Sequence, residues 1–245
     1  TSVGTAYHAA LEAHERDRMS GGFGLSLSDL FDIGADAVRA QIDDDDLVVS
    51  CHAAIQNWWE GHREWLLQYE PIAIEPYFNL PLVEDAKPIA GWVDGIYKDD
   101  NGLFLVDHKT ARSFSRWHRS GEGHRGQAAM YSVALALSPD YDTSELVRME
   151  YLVSRTSRGK NKSFETVRRV TVQPTLDDVK TLGDRIRDAE RITAERTYEK
   201  NPSWILCSDK WCSFYQGCQV DGSLSGTVTD VTLRVSQKNG DTTTQ

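Results

Sequence analysis

The 245-residue chain carries 27 lysines and arginines against 37 aspartates and glutamates, a formal net charge of −10, with 40% hydrophobic and 9% aromatic residues. That composition suits a globular chain with a sizeable core. It contains no apolar run near the roughly 18 residues of a membrane span and no charged-then-apolar leader, so a cytoplasmic location and no membrane partner are expected. The chain starts at Thr1 without a methionine, and a missing upstream segment is expected.

Net acidity alone argues against a polyanionic partner, but the charge is unevenly placed. Acid culminates in Asp43, Asp44, Asp45 and Asp46, whereas residues 108–125 hold Lys109, Arg112, Arg116, Arg119 and Arg125 against Glu122 alone. Residues 154–169 hold Arg155, Arg158, Lys160, Lys162, Arg168 and Arg169 against Glu165. Two basic stretches are compatible with nucleic acid, and equally with ordinary solvated loops.

In chain order, the pattern predicts a helix over 4–18 and a long helix over 46–69, with the aspartate run at its start, where the dipole favours anions. A strand follows at 71–82, its prolines pointing to an edge or short pairing. Residues 89–97 and 103–109 read as a hairpin around Lys98-Asp99-Asp100-Asn101-Gly102. A helix at 124–137, strands at 146–154 and 164–172 and an amphipathic helix at 175–198 opened by Thr175 complete the pattern. The stretch 222–245 has little periodicity and reads as a flexible tail. The order gives an α/β fold, a mixed central sheet flanked by helices and built around one hairpin, with a C-terminal cysteine-rich segment.

The hairpin holds the chemistry. Alternation puts Asp107 and Lys109 on one face and His108 on the other. With Lys98 paired to Leu103, Asp94 falls opposite Asp107. Two facing carboxylates on a half-buried surface repel and protonate unless a cation binds between them, and a hard divalent ion, Mg²⁺ or Mn²⁺, meets that need. Lys109 beside it can steady charge developing on a phosphate. A solvent-facing ion-pair ladder is the alternative, disfavoured by Val93, Ile96, Leu103, Phe104, Leu105 and Val106 on both faces.

The stretches GWVDGIY, GLFLVDHKT and GHRGQAAMYSVAL resemble the RecB-like branch of the PD-(D/E)XK nuclease superfamily, which includes phage exonucleases and CRISPR-associated RecB-like nucleases. The resemblance runs from residue 4 to about 131 and resumes at the C-terminal cysteines. It implies a restriction-endonuclease-like core spanning 1–221, with Asp94, Asp107 and Lys109 catalytic and a metal held by His8, Asp94, Asp107 and the main-chain carbonyl of His108. His8 matches through the Gly4-x-x-x-His8 helix start, and His108 departs from the often acidic middle residue of the strand motif. Gln127 and Tyr131, at i and i+4 on one helix face, are DNA contacts in the resemblance and polar core residues otherwise. Glu75 on the preceding strand is a further acid near the site, a plain surface role being favoured.

Three of four cysteines cluster in the segment 203–221, as Cys207-x4-Cys212-x5-Cys218. Such clustering favours metal over disulfide, although the spacing is not that of a zinc ribbon and free thiols remain open. The resemblance implies a 4Fe–4S cluster on Cys207, Cys212 and Cys218, with Cys51 or a cysteine before Thr1 as fourth ligand. The function expected is a metal-dependent deoxyribonuclease, an exonuclease acting on single-stranded DNA or DNA ends in recombination, repair or phage DNA metabolism, with a recombination or helicase partner conceivable. Arg158, Lys160 and Lys162 are the candidate backbone contacts. The alternative is a non-catalytic DNA-end-binding module with a structural Fe–S or zinc site.

Overall fold

A computed structural model describes residues 2–84, 86–141, 143, 145–158 and 164–195. The chain divides into two units, residues 1–184 and 185–245. Of the second, only the end of one helix is described, where Arg191 pairs with Glu195 at 3.2 Å and Asp188 at 3.5 Å. The cysteine segment 203–221 and the stretch 222–245 lie outside the described residues, as do Lys160 and Lys162.

Four helices open the first unit: α1 (Ser2–Met19), α2 (Leu27–Arg39), α3 (Asp45–Gly61) and the short α4 (Arg63–Leu66). The helix α2 was not expected from the sequence. It begins in a capping box, in which Ser26 accepts from the Asp29 N–H and the Asp29 carboxylate accepts from the Ser26 N–H. Its buried face is Leu30, Gly34, Ala35 and Val38. In α3 the Asp44 side chain accepts from the N–H groups of Asp46 and Leu47, which turns the acidic run into a cap. The expected single helix over 46–69 instead breaks after Gly61. A Cβ there would lie 2.4 Å from Val167, and the buried His62 next to it places Nε2 3.3 Å from the Val153 carbonyl.

The strands are β1 (Glu70–Ile74), β2 (Tyr77–Leu80), β3 (Ile89–Trp92), β4 (Gly95–Asp99), β5 (Gly102–Ala111), β6 (Met149–Arg155) and β7 (Val167–Val172), with α5 (Arg125–Leu137) crossing from β5 to β6 and α6 (Leu176–Glu195) following β7. The main sheet has the order β1-β4-β5-β6-β7. Only β5 and β6 run parallel, which makes the sheet mixed, with the hairpin β4–β5 inside it. Alternation along the strands divides the core. Tyr97, Phe104, Val106 and Leu152 join α1, α2 and α3 in one cluster, while Ile96, Leu105, Tyr151 and Val153 join α5 in the other.

Both strands expected to be continuous, 71–82 and 89–97, are interrupted at the same height. Glu75 adopts φ 51°, left-handed backbone rarely taken by a residue with a side chain, and the paired chain bends at Val93–Asp94. Across the break the Glu75 N–H donates to the Asp94 carbonyl at 3.1 Å and the Val93 N–H to the Pro76 carbonyl at 3.2 Å. The register is preserved, Ile74 opposing Gly95 below the break and Tyr77 opposing Trp92 above it. One ribbon therefore leaves the main sheet as the two-stranded sheet β2–β3, with Glu75 and Asp94 facing each other at the kink. No helix among the described residues is long and apolar enough to cross a membrane.

Candidate active site

The kink and the end of the β4–β5 ladder meet at one place. Lys98 pairs with Leu103 and the ladder runs down to Gly95 opposite Val106. Asp94, the next residue, lies beyond that ladder, its carbonyl accepting from the Glu75 N–H instead. Its carboxylate accepts a 2.6 Å hydrogen bond from the His108 N–H, standing in for a missing strand partner, and the same oxygen lies 3.3 Å from His8 Nδ1 on α1. Burial disfavours charge on Asp94, but the His8 hydrogen bond and the positive potential of His8, His108 and Lys109 hold its carboxyl below the usual range. For His8, burial opposes charge and Asp94 outweighs it, so the imidazole is raised.

His8, Glu75 and Asp94 bring one ligand atom each to within 4.8 Å of one another. The cavity beside them is about 10 Å³, room for a single water-sized occupant, and is lined also by Glu12, Glu15 and His108. Glu75 is pushed up to about 7 by burial, then by the charges of Asp94 and Glu12. The surface role favoured for Glu75 on sequence is thus replaced by a place in the cluster. Its signal was an acid directly before Pro76 inside an otherwise apolar strand, but the left-handed turn that aims it inward leaves no mark on the residue pattern.

Asp107 is 1% exposed on the α5 side of the sheet. Lys109, two residues on and on the same face, forms an ion pair with its Oδ2, and Gln127 Nε2 donates to Oδ1 at 3.2 Å. Burial first, then the Asp94 charge, push its carboxyl up to about 7. Burial works against charge on Lys109, but Asp107 and Asp94 prevail and raise its ammonium above the ordinary value. Gln127 Nε2 also lies 3.3 Å from the Tyr131 hydroxyl. Tyr151, which sequence reasoning passed over, donates to the His124 carbonyl at 3.1 Å and approaches Gln127 Oε1 at 3.4 Å. His108 turns to the opposite layer, buried against Tyr7 and Trp58.

The structure therefore gathers His8, Glu75, Asp94, Asp107, Lys109, Gln127 and Tyr131 at the rim of the sheet. It does not bring Arg158 there as a free cation, because its guanidinium bridges Glu60 at 2.9 and 3.1 Å and Asn57 at 3.1 Å. Arg119, Arg125 and Arg168 of the basic stretches likewise face Glu165, Asp178 and Glu165. Cys51 packs fully buried in the apolar cluster of α1, α2 and α3, and burial pushes its thiol up to about 12. Cys207, Cys212 and Cys218 lie outside the described residues.

Two hard carboxylate donors and one borderline imidazole around a water-sized cavity suit a divalent cation with oxygen and nitrogen ligands. Two carboxyls held near neutrality beside a third kept ionised mark a place with more negative charge than its neighbours balance.

The sequence model of the PD-(D/E)XK nuclease superfamily matches residues 1–219 of the chain. Solved structures similar to it include the crystal structure of SSO0001, with a TM-score of 0.39 and 14% identity over 87% of this chain and 83% of that one. No curated protein matches it.

Proposed function

Because the chain belongs to the PD-(D/E)XK nuclease superfamily, we propose that it is a DNA exonuclease of the RecB-like branch, using Mg²⁺ or Mn²⁺ to hydrolyse phosphodiester bonds of single strands or strand ends. The observation that supports this reading is the meeting of the Asp107–Lys109 pair with the His8, Glu75 and Asp94 cluster at the kinked ribbon. His8, Glu75 and Asp94 would hold the cation, with Asp107 and the His108 carbonyl completing its surroundings. Bound there, the ion supplies Lewis-acid polarisation of the scissile phosphate.

The remaining roles belong to the chain. Lys109 stays protonated at neutral pH and presents its ammonium to the charge that grows on the phosphate oxygens. Asp107 keeps that ammonium in place, and Gln127 fixes the Asp107 carboxylate. Burial of Asp94 and Asp107 strengthens these interactions by removing competing water. The cysteine run 207–218 retains its reading as part of a 4Fe–4S site, with Cys51 or a cysteine before Thr1 as the fourth ligand; iron and sulfide analysis of the wild type and of Cys51→Ser tests it.

End-labelled single- and double-stranded DNA incubated with the protein and Mg²⁺ or Mn²⁺ should shorten, and should survive in chelator. Lys109→Ala and Asp107→Asn should each lower the single-turnover rate by about a hundredfold or more. Cleavage at the wild-type rate by either variant would overturn the assignment, and binding without cleavage in any metal would make the protein a DNA-end-binding module.

A further inference from the structure

The ribbon β2–β3 has two unlike faces. On the inner face Phe78 meets Tyr131 edge-on at 5.6 Å, and Leu80 and Ile89 pack into the α5-side cluster. On the outer face Tyr77 and Trp92 are direct cross-strand partners, with ring centroids 4.9 Å apart and planes inclined by 50°. They are 54% and 58% exposed, although aromatic rings are the side chains that gain most from burial. Because the register runs unbroken through the kink, Glu75 faces Asp94 and Tyr77 faces Trp92 two positions further along.

We propose that Tyr77 and Trp92 form a stacking platform for an unpaired base of the strand whose phosphate enters the acidic cluster. The inference rests on the nuclease reading and specifies its substrate as single-stranded or frayed ends. Beside Glu75, Asp94 and Glu12 a phosphate is repelled unless a cation bridges it, whereas an uncharged aromatic face can hold the neighbouring base without adding to the charge of the site. Centroids 4.9 Å apart leave no gap for a base between the rings, so it lies on their outer side. Within a duplex both faces of an internal base are covered by its stacked neighbours, so such a base reaches the platform only when it is unpaired. The rings contact no sequence-specific edge, which makes the preference one for strandedness and not for sequence.

The test combines Trp92→Ala, Trp92→Phe and Tyr77→Ala with oligonucleotides that are ordinary or carry abasic nucleotides next to the scissile position. Binding is measured with Ca²⁺ in place of Mn²⁺, and cleavage with Mn²⁺. Wild-type protein should bind the ordinary strand roughly five- to a hundredfold more tightly than the abasic one. Trp92→Ala should lose that difference and raise KM more than it lowers kcat, and Trp92→Phe should restore most of it. The dependence of binding on salt should keep its slope, since no phosphate contact is removed. Equal binding of both strands by the wild type, or an unchanged preference in Trp92→Ala, overturns the platform. A change in oligomeric state with DNA binding unaltered also overturns it, assigning the rings to a protein contact. Failure of the nuclease reading looks different: no cleavage of any strand by the wild type, whatever the binding of the variants.

Discussion

Gln127 shows how much of the site depends on one uncharged side chain. Its amide nitrogen spans Asp107 and the Tyr131 hydroxyl, and its amide oxygen faces Tyr151. Gln127→Ala should leave the thermal midpoint little changed, because the residue is only half-buried, yet lower Mn²⁺ affinity or cleavage about 10- to 100-fold, as loss of a partner to a metal-site carboxylate typically does. Metal titration of the single-turnover rate checks it, and an unchanged titration would leave Gln127 as a packing residue. Period-two alternation was enough to place Asp107 and Lys109 together and His108 on the other side, and the i,i+4 spacing to pair Gln127 with Tyr131. Glu75 escaped because alternation assumes an extended backbone, and its φ of 51° is a property of the folded ribbon.

At the level of elements, turn chemistry was the most legible signal. Asp99 to Gly102 set the Lys98–Leu103 register because Asp99 Oδ1 accepts from the Asn101 N–H and Gly102 takes φ 110°. The layer α2 was overlooked although Ser26-x-x-Asp29 announces it; the stretch opens among glycines, and half its buried face is Gly34 and Ala35, which carry little hydrophobic weight. Those small residues let α2 approach α3 closely. A Cβ at Gly34 would lie 2.8 Å from Ile55 and 3.1 Å from the Cys51 sulfur, so Gly34→Ala should destabilise the protein by about 1–3 kcal/mol. Urea unfolding measures this, and a stability gain of the size expected for glycine to alanine in a helix would show the two helices free to part.

Over the whole molecule, acid acts in two opposed ways. Burial keeps His14 and His62 at about 4 and His108 at about 3. Between pH 6.5 and 4 the unfolded chain takes up protons at these positions that the folded chain refuses, so stability falls as pH falls, by at most about 1.4 kcal/mol per unit per group. Asp107 and Glu75, at about 7, have the reverse sign. Between about 4 and 7 the folded protein holds protons that the unfolded chain has released, so without metal they add stability as pH falls. A bound cation keeps both ionised and cancels that gain. Thermal midpoints should therefore drop more steeply from pH 7 to 5 with saturating Mn²⁺ than in chelator, and equal slopes would separate these carboxylates from the metal. The unbroken register of the kinked ribbon also bears on how such a protein can change over time. A one-residue insertion between Glu75 and Tyr77, or between Trp92 and Asp94, would set the Glu75–Asp94 and Tyr77–Trp92 pairs out of step with each other, whereas length added between Leu80 and Ile89 disturbs neither pair. Variation in what the ribbon's tip reaches is thereby uncoupled from the spacing of the acids, leaving the tip free to diverge while the hydrolytic centre stays in place.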